Sequence, residues 1–166
     1  MCIRDSYHTA FFSDIQNFST FSEQLEPEKM VKLMNEYLTE MTDILLQHQG
    51  TLDKYIGDAI VAFYGAPAPL VDQEKKACST ALMMHNKLDE LRKKWMKEDD
   101  WPDIVYQMQH RIGLNSGQMV TGNMGSEMRM NYTMMGDTVN LAARLEPAAK
   151  QYGVYILVGE KVYEAS

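Results

Sequence analysis

The 166-residue sequence predicts an α+β domain in which helices pack on a largely antiparallel sheet. Its length allows one domain and hardly two. Apolar residues make up 45% and charged residues 23%, which is the balance of a globular chain that can fill a core. Short β-rich runs also alternate with long segments of helical apolar periodicity. The predicted order is strand, helix, hairpin, helix, hairpin, helix, strand, with no internal repeat or linker.

The first half of the chain predicts a strand, a long helix and a hairpin. Residues 7–15 form the strand. Apolar residues then recur at steps of three and four along one helical stripe: Met30, Val31, Met34, Tyr37, Leu38, Met41, Ile44 and Leu45. Gly50 ends that helix. Residues 51–56 and 59–64 flank a Gly-Asp turn, which predicts a hairpin that pairs beside the first strand.

The second half predicts a second long helix and a series of shorter elements. Asp72 is the expected N-cap of that helix. Its inner face is predicted from residues Ala77, Ala81, Met84, Leu88, Leu91 and Trp95. The remaining elements are a strand at 105–115, a turn at Gly117, a return strand at 119–122, a short strand at 132–135, a helix at 138–151, a strand at 154–158 and a helix from Glu160.

Charge and cysteine content exclude several classes of function. The formal charge is −7 and the sequence pI is about 5.1, so we expect neither nucleic-acid binding nor direct membrane contact. Cys2 and Cys78 cannot form a disulfide framework, and we expect two free thiols in a reducing compartment. No apolar run approaches the roughly 20 residues that span a bilayer. Residues 1–8 are interpreted as a leader, either a truncation point or a non-native segment.

Two carboxylates stand at the ends of neighbouring elements. Asp14 closes the first strand, and Asp58 lies in the turn of the hairpin expected beside it. Both side chains can then reach one point, where they repel each other unless a cation lies between them. Mg²⁺ prefers such oxygen ligands together with substrate phosphates. The spacing leaves open the alternative that Asp58 is only a turn residue and Asp14 only ends a strand.

Two further segments could bind a phosphorylated substrate. Residues 15–20 join the first strand to the first helix, where unpaired backbone N–H groups can hold a polyphosphate without a P-loop. Most such turns bind nothing. Asn140 and Arg144 are four residues apart on one helix face, and can orient a ribose and neutralise charge on phosphorus. A solvated polar face is the alternative. Asp53 is interpreted as a surface charge.

Four segments in order resemble a known family. They are FFSDI at 11–15, KYIGDA at 54–59, RIGLNSG at 111–117 and NYTMMGDTVNLAARLE at 131–146. The series resembles the class III nucleotidyl cyclase catalytic domain of the bacterial adenylate cyclase type, from about residue 9 to the end. The resemblance implies a ferredoxin-like, palm-type antiparallel sheet with helices packed on it. It also implies that residues 9–166 are this catalytic domain without its last β-hairpin and the lysine which that hairpin supplies.

The resemblance implies an adenylate cyclase that converts ATP into 3′,5′-cyclic AMP and pyrophosphate. Asp14, Asp58 and the backbone carbonyl of Ile15 would hold two Mg²⁺ or Mn²⁺ ions. The ribose 3′-hydroxyl would attack the α-phosphorus in line. The catalytic unit would be a homodimer with two sites at its interface, each built from both protomers.

The same resemblance assigns roles around the triphosphate. Asn17, Phe18 and Ser19 would donate backbone N–H groups to the β- and γ-phosphates. Asn17 and Ser19 depart from the family's usual Gly and Thr, but Asn tolerates a positive φ and Ser keeps the hydroxyl, so we expect the loop to survive. From the other protomer, Asn140 would position the ribose and Arg144 would stabilise the transition state.

Base choice also follows from the resemblance. Lys54 and Thr133 match the purine-reading positions, and their donor and acceptor groups suit adenine rather than guanine. The alternatives are a guanylate cyclase, which these two residues oppose, and a catalytically weak or inactive nucleotide-binding regulatory domain. The family further implies a cytoplasmic catalytic domain behind an upstream sensor domain, on the cytosolic side of a membrane-anchored parent protein.

Overall fold

Six strands form one sheet in the computed structural model, which describes residues 4–166. The elements in chain order are β1 (Arg4–Ile15), α1 (Phe18–Glu23), α2 (Pro27–Gln47), β2 (Thr51–Ile56), β3 (Ala59–Tyr64), α3 (Gln73–Glu98), α4 (Asp103–Tyr106), β4 (His110–Ser126), β5 (Arg129–Met135), α5 (Asp137–Tyr152), β6 (Ile156–Val158) and α6 (Glu160–Ala165). The predicted α+β class is confirmed.

The sheet has the order β2-β3-β1-β4-β5, and all neighbours in that order are antiparallel. β6 pairs in parallel with the first half of β4, whereas β5 pairs with its second half. The β2–β3 hairpin lies beside β1, as the sequence predicts. This arrangement places the end of β1 next to the turn between β2 and β3.

Side chains alternate between the two faces of the sheet and form two apolar clusters. Phe11 and Ile15 of β1 face the larger cluster, which includes buried residues of α2 and α3. Ala10 faces the smaller cluster, where Met134 of β5 and Ala142 of α5 also lie. All six positions predicted for the inner face of α3 are buried, which confirms its apolar periodicity. Within the stripe predicted on α2, Val31 is the exposed exception.

The prediction of a turn at Gly117 is wrong, because β4 runs through it as one strand of 17 residues. The backbone of Gly117 is not left-handed. A Cβ atom there would lie 2.7 Å from Oγ1 of Thr138, so the glycine makes room for the start of α5. The strand predicted from residue 105 is also wrong at its start, because residues 103–106 form α4. The short helix α1 was not predicted.

The N-terminal strand begins earlier than the pattern indicates. β1 starts at Arg4, three residues before the predicted start. Residues 1–3 of the predicted leader, with Cys2, lie outside the described residues. Cys78 is a free, partly buried thiol. Within residues 4–166, no helix is both long and apolar enough to cross a bilayer.

Candidate active site

The structure brings Asp14 and Asp58 together at the end of β1. Gly57 adopts a left-handed φ of 63° and allows the tight turn after β2. The antiparallel pairing of β1 with β3 then places Asp58 beside Ile15, whose backbone N–H donates to Oδ2 of Asp58 at 2.9 Å. The prediction that these two carboxylates share one point at the sheet edge agrees with this geometry.

The carboxylate pair is electrostatically suited to a cation. Burial raises the pKa of Asp14 to about 8, with further contributions from its hydrogen bond with Asp58 and from repulsion by that carboxylate. A divalent ion would instead favour the charged form of both groups, and hard cations prefer oxygen ligands. Residues 4–166 hold no cluster of three or more His, Cys, Asp or Glu side chains arranged for a metal. Backbone or substrate oxygens would therefore complete the coordination.

A largely buried ion pair lies beside these carboxylates. Arg111 Nε donates to Glu146 Oε1 at 3.0 Å, and Arg111 is the cross-strand partner of Asp14. Burial raises the pKa of Glu146, although Arg111 acts in the opposite direction. The negative charge of Glu146 also raises the pKa of Asp14. Sequence reasoning assigned no role to this pair, because its contact depends on how α5 packs across β4.

The predicted phosphate loop follows β1 directly. Asn17 is left-handed, with φ 54° and ψ 36°, as expected for an asparagine in the place of a glycine. The Gln16 N–H donates to the Gln109 carbonyl at 2.8 Å and anchors the loop. The first intrahelical bond runs from Phe21 N–H to the Asn17 carbonyl at 3.0 Å, so the N–H groups of Phe18 and Ser19 precede the hydrogen-bonded helix.

The two predicted base-reading residues meet within one protomer. Lys54 lies on β2 and Thr133 on β5, at opposite ends of the sheet order. Nevertheless, Lys54 Nζ lies 3.4 Å from Thr133 Oγ1. β5 folds over the sheet, as the 5.9 Å separation between the ring centroids of Tyr132 and Phe63 shows. The fold thus assembles a polar cluster from residues 79 positions apart.

Asp53 belongs to this cluster, so its interpretation as a surface charge is wrong. Its side chain is only 1% exposed. Oδ2 of Asp53 accepts a hydrogen bond from the Thr133 hydroxyl, and Oδ1 lies 3.4 Å from Lys54 Nζ. Consecutive side chains of a strand face opposite sides of the sheet. Two consecutive charged residues in a short strand therefore indicate that one of them faces the protein interior, and this was the signal available in the sequence.

Asn140 and Arg144 share an exposed face of α5 and do not join the carboxylates of their own protomer. Buried positions of the helix, including Ala142 and Glu146, face the sheet. Glu146 follows Arg144 by two residues, which corresponds to a rotation of about 200° around a helix of 3.6 residues per turn. Arg144 therefore points away from the side of α5 that approaches Asp14 and Asp58.

Known proteins resemble this chain over almost its whole length. A profile of the adenylate and guanylate cyclase catalytic domain matches residues 4–165. Adenylate cyclase 1 of Rhizobium meliloti (strain 1021) is 34% identical over 154 residues, which cover 93% of this chain and 22% of that protein. The adenylate cyclase of Anabaena cylindrica is 33% identical over 156 residues, covering 93% of this chain and 30% of that protein. The chain therefore spans less than a third of both relatives.

Solved structures agree with the sequence comparisons. The adenylyl cyclase CyaB from P. aeruginosa superposes with a TM-score of 0.88 at 34% identity, covering 99% of this chain and 82% of that one. The guanylyl cyclase Cya2 gives a TM-score of 0.86 at 32% identity, covering 99% and 80%. Both nucleotide specificities thus occur on this fold. The chain belongs to the family of adenylate and guanylate cyclase catalytic domains.

Proposed function

We propose that this cyclase domain converts ATP into 3′,5′-cyclic AMP and pyrophosphate, at sites shared between two copies of the chain. The observation that carries the choice of ATP is the contact between Lys54 and Thr133, which assembles a donor and an acceptor on one protomer. The named adenylate cyclases of Rhizobium meliloti and Anabaena cylindrica support the same choice.

The polar groups of this pair match the edge of adenine. The Lys54 ammonium can donate to N1, and the Thr133 hydroxyl can accept from the 6-amino group. Guanine presents N1–H as a donor toward Lys54 and O6 as an acceptor toward Thr133, whose hydroxyl proton is already donated to Asp53, so both contacts would be mismatched. Each mismatched buried group costs about 1–3 kcal/mol, which is enough to discriminate between the two nucleotides.

The carboxylate pair fits two divalent cations. Asp14, Asp58 and the Ile15 carbonyl would hold two Mg²⁺ or Mn²⁺ ions, which would lower the pKa of the ribose 3′-hydroxyl and neutralise triphosphate charge when bound. The raised pKa of Asp14 supports this fit, because burial and then the neighbouring Asp58 carboxylate disfavour its charged form, which a cation would stabilise.

The remaining residues act on the triphosphate and the ribose. Backbone N–H groups of Asn17, Phe18 and Ser19 hold the β- and γ-phosphates in line with the reacting oxygen. The 3′-oxygen forms a bond to the α-phosphorus as the bond from that phosphorus to the bridging oxygen breaks, and pyrophosphate leaves. Asn140 orients the ribose, and Arg144 stabilises the charge that develops on the α-phosphoryl oxygens.

A second copy of the chain supplies Asn140 and Arg144 to each site. Asn140 and Arg144 are exposed and point away from the carboxylates of their own protomer. Large apolar side chains next to site residues are also exposed: Ile56 is 60%, Met135 57% and Leu141 46% exposed. Such a surface is typical of an interface. A two-fold axis would use the same patch twice and complete two sites.

The chain acts as the catalytic module of a larger protein in this proposal. The curated relatives are three to five times as long as the matched segment, which leaves room for regulatory domains in them. An upstream sensor domain and a cytoplasmic catalytic domain are the arrangement we infer for the parent of this chain.

A nucleotide cyclase assay tests the proposal. Purified chain is incubated with Mn²⁺ and either ATP or GTP, and the cyclic products are separated by chromatography. We expect cyclic AMP from ATP and a loss of about 100-fold or more in Asp58→Asn, whose amide oxygen can still accept the Ile15 N–H. Asp89→Asn, which removes a carboxylate paired with Arg92, is the matched control and retains activity.

Two results would contradict the proposal. Cyclic GMP from GTP in preference to cyclic AMP would show a guanylate cyclase. Absence of both products from a protein shown to be dimeric would instead favour a nucleotide-binding regulatory domain.

A further inference from the structure

Asp53 occupies an irregularity in the pairing of β2 with β3. Leu52 pairs with Ala62 and Lys54 pairs with Val61, so Asp53 is an extra residue between two consecutive pairs. A β-bulge of this kind redirects side chains and is common beside functional sites. Here the shift allows two consecutive residues, Asp53 and Lys54, to approach the same hydroxyl of Thr133.

The buried carboxylate of Asp53 is incompletely satisfied by the fold. One oxygen accepts from Thr133, whereas Oδ1 has no hydrogen bond among the described residues and only the ion pair with Lys54 at 3.4 Å. A buried charge with few partners opposes folding. The contacts of Asp53 run to the two residues that read the base, which points to a role in that reading.

We infer that Asp53 is a positioning residue that sets base specificity, an inference that rests on the proposed cyclase function. An ionised carboxylate can only accept hydrogen bonds, so the Thr133 hydroxyl must direct its proton toward Asp53. The oxygen of Thr133 is then an acceptor toward every other group. It accepts from Lys54 and offers its remaining lone pair to the 6-amino group of adenine.

Without Asp53 the hydroxyl of Thr133 is no longer held as an acceptor toward the base. A free hydroxyl rotates and can act as a donor or an acceptor, so it would pair with the 6-amino group of adenine or with O6 of guanine. Asp53 also holds the Lys54 ammonium beside Thr133 and leaves its third N–H for N1 of the base. The carboxylate thus turns an ambivalent pair into one that discriminates against guanine.

A double-mutant cycle of Asp53→Asn and Thr133→Val tests this inference. The readouts are the ratio of kcat/KM for ATP over GTP, and the Kd values of 3′-deoxy-ATP and 3′-deoxy-GTP, which cannot cyclise. We expect Asp53→Asn to lower both preferences for adenine by about tenfold, mainly through a lower KM and a lower Kd for the guanine nucleotide. In the Thr133→Val background, the same substitution should change the preferences by only about twofold to threefold, because the hydroxyl is absent and only the contact of Asp53 with Lys54 remains.

An unchanged preference in Asp53→Asn would overturn the inference. An equal fall in both backgrounds would also overturn it, because Asp53 would then act independently of the hydroxyl. Thermal unfolding of each variant, with Asp89→Asn as the matched control, separates these effects from loss of the fold. If Asp53→Asn does not fold, Asp53→Ser provides a second variant that removes the charge.

Failure of the proposed function gives a different pattern. A wild-type chain that makes no cyclic nucleotide would contradict the cyclase proposal, while the Kd values still decide the role of Asp53. Equal Kd values of wild type for the two 3′-deoxy nucleotides would overturn the inference by themselves.

Discussion

Gly113→Ala tests how closely α5 must approach the sheet. A Cβ atom at Gly113 would lie 2.5 Å from the Glu146 backbone nitrogen and 2.6 Å from the Ala142 carbonyl oxygen. Ordinary contacts of such atoms begin at 3.4 Å. Both neighbours are backbone atoms, so no side-chain rotation relieves the clash and α5 itself must move by about 1 Å.

This displacement of α5 should lower both the thermal stability of the chain and its cyclase activity. Overpacking of this kind costs about 1–3 kcal/mol, and each kcal/mol lowers Tm by about 2–4 °C in a chain of this size. The same helix carries Asn140 and Arg144. Because misplacement of catalytic groups by about 1 Å can cost about 100-fold in rate, we expect cyclase activity to fall by that order.

Gly153→Ala is the matched control for Gly113→Ala. Gly153 ends α5 with φ +66°, and a Cβ atom there would meet nothing within 4 Å. The left-handed conformation costs about 1–2 kcal/mol for alanine, so Tm falls without displacement of α5. Calorimetry and the cyclase assay are run on both variants. Equal activity of the two, at a similar loss of Tm, would refute the proposed link between the packing of α5 and catalysis.

Three further predictions follow from buried charges and exposed apolar surface. Burial is the main reason why the pKa of His110 lies at about 3, and repulsion from His85 and Arg92 lowers it further. The unfolded chain therefore binds a proton that the folded chain does not, and stability is lost as pH falls below about 6.5. In urea unfolding, the change in stability from pH 7 to pH 5 should be about 2 kcal/mol less favourable in the wild type than in His110→Gln, and an identical pH dependence in both proteins would contradict it. Arg111→Met leaves Glu146 buried without its partner and should cost about 3–5 kcal/mol in the same assay; a loss below about 1 kcal/mol would show that Glu146 is solvated. Ile56→Asp should keep the fold, as judged by circular dichroism, but shift the chain to a monomer in sedimentation and abolish activity, whereas an active monomer would contradict the shared site.

Elements with a strong local pattern were predictable from the sequence. The six inner positions of α3 follow from apolar spacing alone, and all are buried. The β2–β3 hairpin follows from two β-rich runs around Gly57 and Asp58. Asp14 and Asp58 could be placed together because both stand at the ends of elements that pair.

Features that depend on distant contacts were not predictable. Gly117 has the local signature of a turn, but it is an extended residue that makes room for Thr138. Asp53 has the signature of a surface charge, because only the folding of β5 over the sheet brings Thr133 to it. The short helices α1 and α4 are too brief to show an apolar period.

Mixing two inactive variants tests most directly whether two protomers share one adenylate cyclase site. Asp58→Asn removes a carboxylate from one half of the proposed site, and Arg144→Ala removes the guanidinium that the partner would supply. When equal amounts of the two variants exchange protomers to equilibrium, half of the dimers are heterodimers, and each heterodimer has one intact site of two. Cyclic AMP formation should therefore recover to about a quarter of the wild-type rate. A mixture as inactive as either variant alone, from protein shown to have exchanged partners, would contradict the shared site.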